Sequence, residues 1–263
     1  MKIRIITAII AILLFFPLVI IGGLPFKLIM FVIGSIGLLE LLQMRKMTRF
    51  PIPTIFSFIL LWVLLLQVNQ ESFFLQFKID NSEIMLLIVL VLLGYTVLVK
   101  NKLTFEDAGF IVISAIYVGL GFYYFMETRE IGLEYIFYGI VIILATDTGA
   151  YFCGKAFGKR KLWPEISPNK TIEGAIGGIV LACIVAVIFQ LIFPVHSSMF
   201  VVLIVTVFAS MFGQVGDLVE SAFKRYYDVK DSGKLLPGHG GILDRFDSWL
   251  FVFPFLHFIQ FVS

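Results

Sequence analysis

Long apolar runs separated by polar breaks occupy most of the chain. Nine can be marked, at about 5–22, 25–43, 54–68, 84–99, 108–126, 132–152, 172–193, 198–216 and 243–262. A helix needs roughly 20 apolar residues to cross the hydrocarbon of a bilayer, and most of these runs approach or reach that length. Membrane β-strands would instead alternate in segments of about ten residues, and no such alternation is present. The pattern predicts an all-α fold, a polytopic transmembrane helical bundle of about nine spans. The opening Met1-Lys2-Ile3-Arg4 and the apolar run to Ile21 have the outline of a signal peptide. That run is long for such a peptide and its small-residue cleavage pattern is poor, so it reads as a retained first span.

Composition agrees with this reading. Sixty per cent of the 263 residues are hydrophobic and 29 are Phe, more than one soluble core would use. With the N-terminus inside, seventeen of the twenty Lys and Arg residues fall on the inner face, leaving Lys27, Lys78 and Arg129 outside. The positive-inside rule then places the N-terminus in the cytoplasm and the C-terminus outside. The chain reads as an integral protein of the cytoplasmic (inner) cell membrane. The net charge of +2 offers no extended basic face, so nucleic acid is not a partner. Cys153 and Cys183 lack CxxC spacing and read as small buried hydrophobes.

Charge is scarce at 14% of residues, yet eleven charged residues fall between Asp217 and Asp247. They are Lys224, Arg225, Lys230, Lys234 and Arg245 against Asp217, Glu220, Asp228, Asp231, Asp244 and Asp247. Ions close to hydrocarbon are costly, so the concentration reads as a site. At helical spacing Asp217, Glu220, Ser221 and Lys224 share a face, and Asp244 and Asp247 share another at the start of the last span. Carboxylates at two helix ends offer hard oxygen ligands, which suit Mg²⁺, and Mg²⁺ suits phosphates. The bland alternative is a set of interfacial salt bridges such as Asp217–Lys224 and Asp244–Arg245. Pro237-Gly238-His239-Gly240-Gly241 reads as a turn whose amides can approach an anion, with a tight re-entry turn as its plain counterpart.

A second polar cluster, Thr146-Asp147-Thr148-Gly149-Ala150-Tyr151, lies inside the sixth apolar run. After the basic trio Lys159-Arg160-Lys161 comes Ser167-Pro168-Asn169-Lys170-Thr171-Ile172-Glu173-Gly174. There, Ser before Pro resembles a helix N-terminus that favours phosphate. Gly174-x-x-x-Gly178 reads as a close helix–helix contact. The polar residues thus concentrate in the second half. Residues 1–130 read as an N-terminal transmembrane scaffold, and 131–263 as a C-terminal region whose long loops, 153–171 and 217–242, face the cytoplasm.

From Ser221 to Asp247 the chain resembles the signature of phosphatidate cytidylyltransferases, the CDP-diacylglycerol synthases. That signature runs Ser-x-apolar-Lys-Arg, four residues, Lys-Asp, then Pro/Gly-x-His-Gly-Gly-x-x-Asp-Arg-x-Asp, and the 27 residues fill it without departure. Gly216-Asp217 and the stretch from Ser167 to Gly174 are also similar. The resemblance implies the Mg²⁺-dependent reaction of CTP with phosphatidate to give CDP-diacylglycerol and pyrophosphate. It further implies two metal ions and a homodimer. Under it Asp217 and Asp244 would be the principal metal ligands, with Asp247 and Asp147 assisting. Lys170, Lys224, Arg225, Lys230 and Arg245 would neutralise phosphates. His239, with Gly240 and Gly241, would line the nucleotide pocket, and Asn169, Ser221 and Asp231 would complete the substrate contacts. Three alternatives stand beside this one: a CTP-dependent lipid kinase, an ion-coupled transporter using Asp147 and Asp217, and a receptor or assembly scaffold. A transporter would carry charges deep in several spans and some internal repeat, and neither is visible here. A scaffold leaves the polar signature unexplained.

Overall fold

Residues 2–66 and 81–262 are described by the computed structural model of the chain. The connection at 67–80, with Glu71 and Lys78, which the sequence reading puts on the outer face, lies outside the described residues, as do the last two positions of the third apolar run. In chain order the elements are α1 (Lys2–Ile21), α2 (Gly23–Met44), a short 3-10 turn (Met47–Arg49), α3 (Pro51–Leu66), α4 (Asn81–Leu98) and α5 (Phe105–Ile131). Then follow α6 (Leu133–Phe157), β1 (Lys161–Trp163), β2 (Ser167–Thr171), α7 (Ile172–Ile192), α8 (Met199–Tyr226), α9 (Leu243–Phe246) and α10 (Trp249–Phe258). Each of the nine apolar runs carries a helix. Five helices, α2, α5, α6, α7 and α8, are long and apolar enough to cross a membrane, while the apolar helices of α1, α3, α4 and α10 are shorter. The protein is an all-α integral membrane protein.

The chain forms two compact units, Leu24–Tyr123 on one hand and Met1–Gly23 with Tyr124–Ser263 on the other. Compactness thus groups the chain differently from the distribution of its polar residues, because α1 belongs with the C-terminal half. In the first unit Gly119 admits the Leu64 side chain, and Gly34 faces Phe122 and Leu65. Thr104 and Asp107 cap the start of α5 reciprocally, the Thr104 amide donating to Asp107 at 3.0 Å and the Asp107 amide to the Thr104 hydroxyl at 3.1 Å. Arg45 closes this corner with an ion pair to Asp107 at 2.8 Å.

In the second unit α1 is fixed by aromatic packing and by a cation. Phe15 packs against Phe125, Phe246 and Trp249 with centroids 5.7 to 6.1 Å apart. The Arg129 guanidinium donates to the carbonyls of Val19 and Ile20, which a helix leaves without intrahelical partners at its C-terminal end.

Small residues let α6 and α7 pack closely. A Cβ on Gly178 would lie 2.7 Å from the Thr146 carbonyl oxygen, and one on Gly174 would lie 2.8 Å from that of Ala150. On the other helix, a Cβ on Gly149 would lie 2.7 Å from the Gly177 carbonyl oxygen. The Gly174-x-x-x-Gly178 spacing is therefore a helix–helix contact, as expected. Gly178→Leu should push the helices apart and cost about 1–3 kcal/mol or more. A lower thermal midpoint of the purified protein would show this, and an unchanged midpoint would contradict it. The cysteines are free and half-buried rather than buried.

Three sequence expectations change. First, α8 does not stop near 216 but runs to Tyr226, 28 residues or about 42 Å. Asp217, Glu220, Ser221, Lys224 and Arg225 are therefore helical, and the loop shrinks to 227–242. Likewise α6 continues to Phe157. Second, Ser167 does not start a helix. Ser167–Thr171 is a strand pairing antiparallel with Lys161–Trp163, and α7 begins only at Ile172. The residue before a proline disfavours helical backbone. Thr171 is the true cap, accepting from the Gly174 amide at 3.1 Å. Third, the ninth run is broken, with a single helical turn at Leu243–Phe246 ahead of the ten-residue α10.

Candidate functional site

At the end of the second unit where α6 finishes and α7 begins, a cleft of about 490 Å³ opens between these helices, α8 and the hairpin. Asp147, Tyr151 and Lys155 line it from α6, Asn169 and Lys170 from β2, and Gln214 and Asp217 from α8. Each arrives for a local reason. Asp147, Tyr151 and Lys155 are four residues apart, so they lie along one face of α6. The carboxylate of Glu173, in the first turn of α7, accepts from the amides of Lys159 and Arg160 at 3.1 to 3.3 Å and so folds the hairpin base. Arg225 donates to the Ile166 carbonyl in the hairpin turn at 3.2 Å, which ties the hairpin to α8. Lys170 then reaches Asp217 in an ion pair of 2.7 Å.

Gly216 brings a third carboxylate near. A Cβ there would lie 2.6 Å from the Asp247 carbonyl oxygen, so only glycine lets this backbone approach α8. Asp147, Asp217 and Asp247 lie within electrostatic reach of one another, with Lys170 and Arg245 close enough to act on Asp147. Among the described residues, no three His, Cys, Asp or Glu side chains are grouped closely enough to hold an ion by themselves.

Beside the cleft lies a second network, which closes on itself. Lys224 pairs with Glu220 one turn back on α8 and with Asp244 Oδ1 at 2.7 Å. The side chains of Glu220 and Asp244 are only 1% and 6% exposed. Asp244 Oδ2 accepts from the Ser232 amide and hydroxyl, both at 2.9 Å, and from the Gly241 amide at 2.8 Å. This one carboxylate thus holds Ser232 and Gly241 together and, through Lys224, against α8. Gly238 and Gly240 have φ of +80° and +84°, where glycine is required, and a Cβ on Gly240 would collide with the Asp244 carboxylate. The turn puts His239 inside the loop with its Nδ1 buried and without a hydrogen-bond partner.

The residues singled out in the sequence therefore divide. Asp147, Asn169, Lys170 and Asp217 meet in the cleft. Asp247 and Arg245 are near it electrostatically. Lys224, Asp244 and Gly241 form the loop anchor, with His239 and Gly240 in the turn it holds. Arg225 holds the hairpin, Ser221 is 3.4 Å from Asp217, and Lys230 and Asp231 are exposed on the loop. Neither bland pairing is formed: Asp217 takes Lys170 and Asp244 takes Lys224. Sequence reasoning missed Lys155, whose signal was its eight-residue spacing from Asp147. It also missed the anchoring roles of Glu220, four residues before Lys224, and of Ser232, which carried no signal.

Thr7 Oγ1 donates to the Pro237 carbonyl at 3.2 Å, so the first turns of α1 lie at the same end as this loop. Fold and site together define a helical integral membrane protein with a carboxylate- and lysine-lined cleft at one end of its helices. Over residues 2–262 the chain matches the family model described as "Cytidylyltransferase family", and it belongs to that family. It is 56% identical over 262 residues to the phosphatidate cytidylyltransferase of Bacillus subtilis (strain 168), covering 98% of this chain and 97% of that protein. It is 48% identical over 259 residues to the enzyme of that name from Staphylococcus epidermidis, and 46% over 259 residues to that from Staphylococcus aureus (strain COL). In both cases 98% of each chain is covered.

Proposed function

We propose that the protein transfers the cytidylyl group of CTP to phosphatidate, giving CDP-diacylglycerol and pyrophosphate for phospholipid biosynthesis. Besides family membership, one observation carries this reading. The cleft sets Lys170 and Asp217 in contact beside Asp147.

The chemistry asks little of a protein nucleophile. A phosphate monoester has a second pKa of about 6, so the phosphatidate oxygen is already charged at neutral pH. It attacks the α-phosphorus of CTP, the bond from that phosphorus to the bridging oxygen breaks, and pyrophosphate leaves with the electron pair. The difficulty is bringing two polyanions together and stabilising the charge that leaves. Lys170 and Arg245 offset phosphate charge at the cleft, and Lys230 does so from the loop. Asn169 offers an amide to the substrate, and the turn of His239, Gly240 and Gly241 lies on the nucleotide's side.

Mg²⁺ fits the donor set. Asp217, Asp247 and Asp147 are all hard oxygen donors, and this ion is usually held by one or two carboxylates with substrate phosphates supplying the rest. When bound, it supplies positive charge to the phosphates during transfer. Two such ions and a homodimer are part of the same reading. The bonds that Asp244 makes favour the role of loop anchor over that of metal ligand, and those of Lys224 favour positioning over phosphate neutralisation.

The site faces the cytoplasm in this reading, with nine spans and the N-terminus inside. The basic residues support that side, as does the Thr7–Pro237 bond, which sets the start of α1 at the site's end. Purified protein given CTP and phosphatidate should form CDP-diacylglycerol with Mg²⁺ and lose that activity on chelation. Undiminished synthesis after chelation would remove the metal from the account.

A further inference from the structure

We propose that Lys155, with Tyr151, docks the phosphate of the lipid substrate, and that CTP does not use this cation. The inference rests on the cytidylyl-transfer reading and divides the cleft between its two anionic substrates.

Lys170 is taken up by Asp217. Lys155 is the other lysine of the lining, and among the described residues it has no carboxylate partner. Its ammonium instead lies over the Tyr151 ring, 5.9 Å from the centroid. Eight residues of helix separate it from Asp147, a rise of about 12 Å, so it stands two turns beyond that carboxylate, at the mouth beside the end of α6.

The surface around that mouth is suited to lipid rather than to nucleotide. Tyr151, Phe152, Phe157 and Trp163 are each more than half exposed, and they surround Lys155, Lys159, Arg160 and Lys161 in sequence. Aromatic rings interleaved with cations at the end of an apolar helix mark the headgroup level of a bilayer. A phosphatidate molecule at that level keeps its acyl chains along the exposed aromatic faces. Its phosphomonoester then meets Lys155, the lining lysine that no carboxylate holds among the described residues. The aromatic face of Tyr151 leaves the ammonium's outward N–H groups free for that oxygen. A nucleotide arrives from water and has no chains to lay against this wall.

Initial rates in mixed micelles, varying the mole fraction of phosphatidate and the CTP concentration separately, test the division. Lys155→Gln should raise the KM for phosphatidate about tenfold and leave the KM for CTP and kcat close to wild type. Lys155→Arg should restore most of the affinity, and Lys159→Gln should match wild type. An equal rise in the KM for CTP would overturn the assignment, as would unchanged kinetics in Lys155→Gln. An equal effect in Lys159→Gln would reduce the residue to general surface charge and also overturn it. Wild-type protein that made no CDP-diacylglycerol would refute the parent reading instead, which keeps the two failures distinct.

Discussion

Asp217→Asn is expected to lower CTP-dependent formation of CDP-diacylglycerol by about two orders of magnitude or more while the protein still folds and inserts. The first half follows from its place: it lines the cleft, sits within reach of Asp147 and Asp247, and is the leading candidate to hold Mg²⁺. Losing one anionic oxygen there removes several kcal/mol of charge stabilisation from the transfer step. The second half follows from exposure. The Lys170 and Asp217 side chains are 27% and 34% exposed, and ion pairs of that kind contribute at most about 1 kcal/mol to stability. Thermal unfolding in detergent beside the rate assay separates the two. If Asp217 served only to place Lys170, Lys170→Met would reproduce the Asp217→Asn defect in full. A fully active Asp217→Asn protein would remove Asp217 from the site.

Lys224→Met should act in the opposite way, through the fold. It leaves Glu220 and Asp244 facing each other with side chains 1% and 6% exposed and no cation between them. Removing one partner of a buried ion pair costs about 3–5 kcal/mol. The loop that Asp244 fastens through Ser232 and Gly241 should loosen with it, carrying His239 out of place. The expected results are a lower thermal midpoint and faster proteolysis between 227 and 242. Adding Glu220→Gln to Lys224→Met should recover part of the loss, because one of the two stranded charges is then gone. If Lys224→Met kept wild-type stability and only raised the KM for CTP, Lys224 would be a phosphate ligand after all.

The apolar helices were legible because burial in lipid leaves a long, unbroken signal. The α6–α7 contact was legible because Gly174 and Gly178 fall one turn apart. The end of α8 was not, since polarity after Gly216 reads as a loop even though Asp217, Glu220, Ser221 and Lys224 keep helical spacing. At 167–171, Ser-Pro imitated a helix start, whereas Thr171 ahead of Glu173 carried the actual one. Within the site, Asp217 and Lys170 could each be picked out by type, but their contact joins residues 47 positions apart. The role of Asp244 was hidden for the same reason. A carboxylate beside a glycine turn gives no sign in sequence that its oxygens hold Ser232, Gly241 and Lys224.

The central claim is that bond breaking occurs at the α-phosphorus of CTP. The most direct measurement gives the purified protein phosphatidate, Mg²⁺ and CTP labelled at either the α- or the γ-phosphorus, and follows the label into lipid. The account predicts lipid labelled from the α position only, with the γ label recovered in pyrophosphate. Lipid labelled from the γ position, with CDP released, would mark a lipid kinase and contradict it.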